Sequence, residues 1–105
     1  MKAIENLIGK QVIVRADRAG VFFGTLNEVE QNGDKYTVEL RKCRRLWYWD
    51  GAASITQLAI DGTTNPQKCK FTLAEDSIVI SGVIELHGCT DKAIKSINGV
   101  AAWKR

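Results

Sequence analysis

Apolar and polar residues follow one another along the first forty positions in runs that predict strands. Gln11-Val12-Ile13-Val14-Arg15 reads as a first strand and Ala16-Asp17-Arg18-Ala19-Gly20 as a loop. Val21 to Val29 reads as a second strand, rich in β-branched and aromatic residues. Gly24 stands inside it, where a residue without a Cβ predicts a bulge or a sharp bend. Asn32-Gly33 is a hairpin signal, because both residues tolerate the positive φ of a tight turn. Lys35 to Leu40 follows as a third strand. Its alternation puts Tyr36, Val38 and Leu40 on the core face and Lys35, Thr37 and Glu39 on the other. Such a meander can curl into a small SH3-like or Sm-like barrel. The aromatic segment that comes next is expected on a fourth strand or its exit.

The pattern changes after position 50. Ser54 to Ile60 carries apolar residues at helical spacing, with Ser54 as cap and Gly62 as stop. Asp61 to Lys68 reads as a surface loop, and Cys69 to Leu73 and Ser77 to Leu86 as two more strands. Thr90 caps a final helix in which Ala93, Ile94 and Ile97 form an apolar stripe, ended by Asn98-Gly99. Trp103 is expected to fold back onto the body. The expected fold class is α+β: a small curled antiparallel sheet with two short helices, residues 1–105 forming a single domain.

Composition narrows the function classes. An apolar content of 45% argues against disorder, and 105 residues bury only a modest core, which makes a homo-oligomer an expected source of stability. The net charge of +3, from 15 basic and 12 acidic residues, is too mild to make a nucleic-acid binder by charge alone. No apolar run suits a signal peptide or a membrane span, so the cytoplasm of the cell that makes the protein is the expected location and no membrane partner is expected. Cys43, Cys69 and Cys89 are an odd, widely spaced set with no CxxC pair. Reduced, partly buried thiols are expected rather than a disulfide framework or a zinc site.

Candidate chemistry is concentrated in Arg44-Arg45-Leu46-Trp47-Tyr48-Trp49-Asp50-Gly51. Aromatic faces stack on flat π-systems and guanidinium forks grip phosphate. On a strand, Trp47 and Trp49 share one face, and Leu46, Tyr48 and Asp50 the other. Both sets carry large aromatics, so one set is expected to line a pocket, groove or subunit interface; the alternative is plain core packing. Arg41, Lys42, Arg44 and Arg45 form a basic run that could meet Arg15 and Arg18 on one anion, or else form a solvated edge that prevents strand pairing. His87 is the only histidine, and a weak His-x-Cys pair with Cys89 does not make a metal site. No serine or threonine has a base beside it in sequence, and the aspartates Asp17, Asp50, Asp61 and Asp76 fall in expected turns. Gly20 to Gly24 lacks the helix and lysine of a phosphate loop. No catalytic residue, cofactor or metal is therefore expected, and the chain does not read as an enzyme.

Leu7-Ile8-Gly9-Lys10, Val12 to Arg15, Ala19 to Gly24, the block Cys43 to Ala52 and Leu58-Ala59 resemble an uncharacterised family of small phage and prophage proteins. The resemblance covers most of the chain, and its specific part is the Arg44 to Ala52 block. Small phage proteins of this size include immune-evasion sponges, which hold a host's cyclic nucleotide signal without cleaving it. That analogy of class implies a phage-encoded anti-defence protein sequestering a small nucleotide in the host cytoplasm. The expected ligand-binding residues are Arg18, Phe22, Arg44, Arg45, Trp47, Tyr48 and Trp49, with Trp47 or Tyr48 stacking on a base and Arg44, Arg45 and Arg18 holding phosphate. The alternatives are a module that inhibits a host protein through an aromatic and arginine face, and a single-stranded nucleic-acid binder, which the modest charge disfavours.

Overall fold

A computed structural model describes all residues, 1–105. Helix α1 (Lys2–Glu5) precedes strands β1 (Gln11–Ala16), β2 (Gly20–Asn32) and β3 (Lys35–Tyr48). Helix α2 (Ile55–Asp61), a 3-10 turn (Pro66–Lys68), β4 (Lys70–Phe71), β5 (Glu75–Gly88) and α3 (Asp91–Asn98) complete the chain. The sheet is antiparallel in the order β2-β1-β5-β3-β4, and β2 also pairs with β3. That extra pairing joins β1, β2, β3 and β5 into a barrel-like ring, as the meander predicts.

The long strands bend because their ladders slip. Gly24 sits at a register shift between Phe23 and Thr25. A Cβ there would lie 2.9 Å from the Arg41 carbonyl oxygen and 3.1 Å from the Cα of Cys43. Glycine lets the two backbones close to that distance, and the barrel turns its corner at this point. The Asn32-Gly33 turn also forms as expected, with Asn32 paired to Lys35.

Two apolar clusters flank the ring. Val12, Val14, Phe22, Leu26, Val38, Leu40, Ile80 and Val83 fill its interior. Ile13, Phe23, Leu46, Leu58, Phe71, Ile97 and Val100 pack outside it under α2 and α3. Strand β1 is thus covered on both faces, which accounts for the unbroken run Val12-Ile13-Val14. Phe22 and Phe23 divide between the two clusters for the same reason.

Both expected helices are present. The Ser54 side chain accepts a hydrogen bond from the Gln57 N–H, the Thr90 side chain accepts one from the Ala93 N–H, and Gly62 ends α2. The molecule has a third helix, α1, beyond the two expected. It buries none of its residues, so it leaves no apolar stripe in the sequence. The aromatic segment does not occupy a fourth strand: β3 continues without a break from Lys35 to Tyr48. The expected strand over Cys69 to Leu73 shrinks to Lys70–Phe71, while the one over Ser77 to Leu86 lengthens to Glu75–Gly88. The chain end does return to the body. Ala102 bridges Phe71, and the Trp103 N–H donates to the Phe71 carbonyl at 2.8 Å.

Candidate ligand-binding site

The end of β3 sorts its side chains in a way strict alternation does not. Leu46 is buried in the outer cluster, and Trp47 is 64% exposed, as a strand requires. Tyr48 then returns to solvent at 49% exposure instead of turning inward, because the ladder to β4 slips between Leu46 and Tyr48. Trp49 is half-buried against the outer cluster. Core packing and exposure are therefore both present in one short segment.

Four of the seven expected ligand residues meet. Arg18, Arg45, Trp47 and Trp49, with Ala19 to Val21, surround a hollow of about 270 Å³. Arg18 reaches its wall from the β1–β2 loop, where it takes a positive φ of 70°. Arg45 is held in place on two sides. Its Nη1 donates to the Ala19 carbonyl at 2.6 Å, and its guanidinium carbon lies 4.4 Å from the centre of the Phe22 ring. Its remaining guanidinium N–H groups have no protein acceptor, so the group can take an anion without losing its own support.

Three expected residues are placed elsewhere. Phe22 is fully buried in the ring interior and offers only its contact with Arg45. Arg44 is the one buried charged residue. Its Nε donates to the Thr72 carbonyl at 2.8 Å, Nη1 to the Ile97 carbonyl at 2.8 Å and Nη2 to the Phe71 carbonyl at 3.3 Å. None of the ion pairs involves it. Burial pulls its pKa down from the ordinary arginine value. The carbonyl at the C-terminal end of α3 offsets part of that penalty. Arg44 ties β3, β4 and α3 together, and it faces away from any ligand the expected arrangement gave it. Tyr48 stands outside the hollow, beside Lys70.

The basic run disperses as well. Arg41 pairs with Glu39 at 2.9 Å and Arg15 with Glu85 at 3.0 Å. Only Arg45 of the run joins Arg18. His87 bonds Glu85 at 2.7 Å, and no group of three or more His, Cys, Asp or Glu residues is placed to hold a metal ion. The three thiols are free. Burial pushes the Cys43 thiol up to about 12 and the Cys89 thiol up to about 11, so neither is a nucleophile at neutral pH.

Two neighbours of these residues, Trp103 and Lys70, are not among the expected ligand residues. Trp103, 48% exposed, lines a second hollow of about 280 Å³ with Thr72, Leu73 and Ile78, and Arg45 belongs to this wall too. Lys70 stands with its Nζ 5.5 Å from the Trp103 ring centre and 6.0 Å from that of Tyr48. These positions depend on the pairing of Tyr48 with Lys70 and of Phe71 with Ala102, which no local sequence pattern announces.

Fold and site together define a small, barrel-like α+β domain that presents an arginine-flanked aromatic face. The chain belongs to the family described as "Domain of unknown function (DUF6948)", whose model matches residues 9–97. No curated protein and no solved structure matches it. No helix is long and apolar enough to cross a membrane.

Proposed function

We propose that this protein is a binding module that takes a phosphate-bearing, ring-containing small ligand without cleaving it. The observation that carries the reading is the meeting of Arg18 and Arg45 with Trp47 and Trp49 around one hollow. A nucleobase would stack on the open ring of Trp47, and its phosphate would sit between the two guanidinium groups. The arginines and rings that line the hollow hold a ligand by charge-assisted hydrogen bonds and stacking, which supports holding as the reading. The phage anti-defence role is the biological setting we propose for it, with a host nucleotide signal as the ligand and the host cytoplasm as the place.

A hollow of about 270 Å³ is at the small end of ligand sites and open on one side. Nanomolar capture, about −12 kcal/mol, requires that open side to be covered. A second copy of the chain is the cover we propose. A second reading, a host-protein partner, draws on the spread of exposed aromatic surface past the hollow to Tyr48 and Trp103.

Thermal shift against a panel of mono- and cyclic dinucleotides tests the proposal, since a ligand of the folded state raises the melting temperature. A hit is expected to quench tryptophan fluorescence and to be lost in Trp47→Ala and Arg45→Ala. The captured nucleotide is expected intact after heat denaturation. A cleaved product at more than one turnover per site would make the protein an enzyme. Absence of any shift across the panel would leave the protein-partner reading in its place.

A further inference from the structure

The two hollows are neighbours that share one wall. Arg45 lines both, with Trp47 on the rim of the first and Trp103 on the rim of the second. Each ring is about half exposed or more, and each hollow alone is smaller than the usual site for a whole ligand. Cations stand beside both rings: Arg18 on the Trp47 side and Lys70 over the Trp103 ring. Arg45 is thus common to a hollow that carries Trp47 and one that carries Trp103, and Glu75 is the one carboxylate in the wall of the second.

Resting on the binding reading above, we infer that the ligand has two ring-bearing units joined through phosphate: a dinucleotide, not a mononucleotide. One base stacks on Trp47 and the other on Trp103, and the linking phosphate lies at Arg45. The two stacking platforms tolerate any base, because every base has a π-face, so selectivity rests on the number of units and their spacing. Arg45 suits the central position because its contacts with Ala19 and Phe22 fix it before the ligand arrives, which reduces the ordering cost of binding.

The experiment compares adenosine monophosphate with the linear dinucleotide pApA and with cyclic di-adenosine monophosphate, by calorimetry on the full chain. At least one dinucleotide is expected to bind tenfold or more tightly than the mononucleotide. Trp103→Ala is expected to remove that advantage, bringing dinucleotide affinity down to that of the mononucleotide. Trp47→Ala is expected to weaken both. Since the Trp103 backbone docks on Phe71, Lys70→Ala serves as a second variant that leaves that docking alone and is expected to weaken the dinucleotide selectively. If mononucleotide and dinucleotides bind equally, and neither Trp103→Ala nor Lys70→Ala discriminates between them, the two-unit inference is overturned while the single-hollow reading stands. If none of the three binds, both fall.

Discussion

Arg44 and Arg45 are adjacent in sequence and opposite in role. Arg45 lies half-buried at the surface with donors to spare, while Arg44 is buried and spends its fork on three carbonyls of β4, the residue after it, and α3. Arg44→Met is expected to destabilise the fold by on the order of 2 kcal/mol, because the Thr72, Ile97 and Phe71 carbonyls each lose a charge-assisted donor, the last two keeping the Val100 and Trp103 N–H groups. Arg44→Lys restores little, since an ammonium cannot span the three acceptors as a planar fork does. Urea unfolding reads this directly; a wild-type midpoint for Arg44→Met would show that the pin holds nothing. The thiols give a second residue-scale prediction. Cys43 is buried and Cys89 partly buried, and both have raised pKa values. Alkylation of the native protein at neutral pH should be slow at both, and all three cysteines should react in denaturant without prior reduction. Rapid labelling of Cys43 in the native state would contradict its placement.

At the scale of elements, the exit of β3 is clamped. Asp50 accepts at its carbonyl from the Thr63 hydroxyl (2.5 Å) and at its carboxylate from the Asn65 side chain (2.6 Å). Gly51 follows with φ +83°, and a Cβ there would lie 2.5 Å from the Asn65 nitrogen and 2.7 Å from the Thr63 hydroxyl. Gly51→Ala is expected to cost more than about 2 kcal/mol and to loosen Trp49 along with the loop, since strain and collision act together. Thermal denaturation checks the first effect, and the width of the tryptophan emission checks the second. A variant as stable as the parent would mean that the loop can re-form without the clamp. The sheet edges have a different device. The outer stretches of β2 and β5 pair with β3 alone, and Glu28, Glu30, Glu75 and Asp76 stand exposed on them. Charged edges discourage strand addition, so the association we propose is expected at the aromatic face.

The whole molecule carries its exposed aromatic rings at one end of β3 and on the returning chain terminus. Light scattering at micromolar concentration is expected to give a dimer or larger. A monomer at every concentration would leave the hollows uncovered and remove the cover that the proposed tight capture requires. Acid stability also belongs to this scale, because Glu39 joins three elements. The Ser77 hydroxyl, then the Asn27 amide and Arg41, hold its carboxyl below the ordinary 4.5. A carboxylate whose folded pKa is depressed adds stability above its unfolded value and loses it as the pH falls through the folded one. Glu39→Gln is therefore expected to flatten the fall in urea midpoint between about pH 5 and about pH 3. An unchanged slope would assign acid unfolding to other groups.

What the residues determined by themselves is the local part of this protein. The β-meander, the Gly24 bend, the Asn32-Gly33 turn and the caps at Ser54 and Thr90 all follow from short-range sterics and hydrogen bonding, which act within a few positions of the chain. So does the concentration of aromatic and basic residues in one block. Three things were decided only by tertiary structure. The length of β3 depends on partners from β2, β4 and β5, which lie far along the chain. The division of roles between Arg44 and Arg45 depends on which carbonyls of β4 and α3 arrive beside them. The exposure of Tyr48 and the arrival of Lys70 and Trp103 depend on a register slip and a returning terminus. Alternation predicts which side of a strand a residue takes, but the neighbour waiting on that side is set by the packing of distant segments.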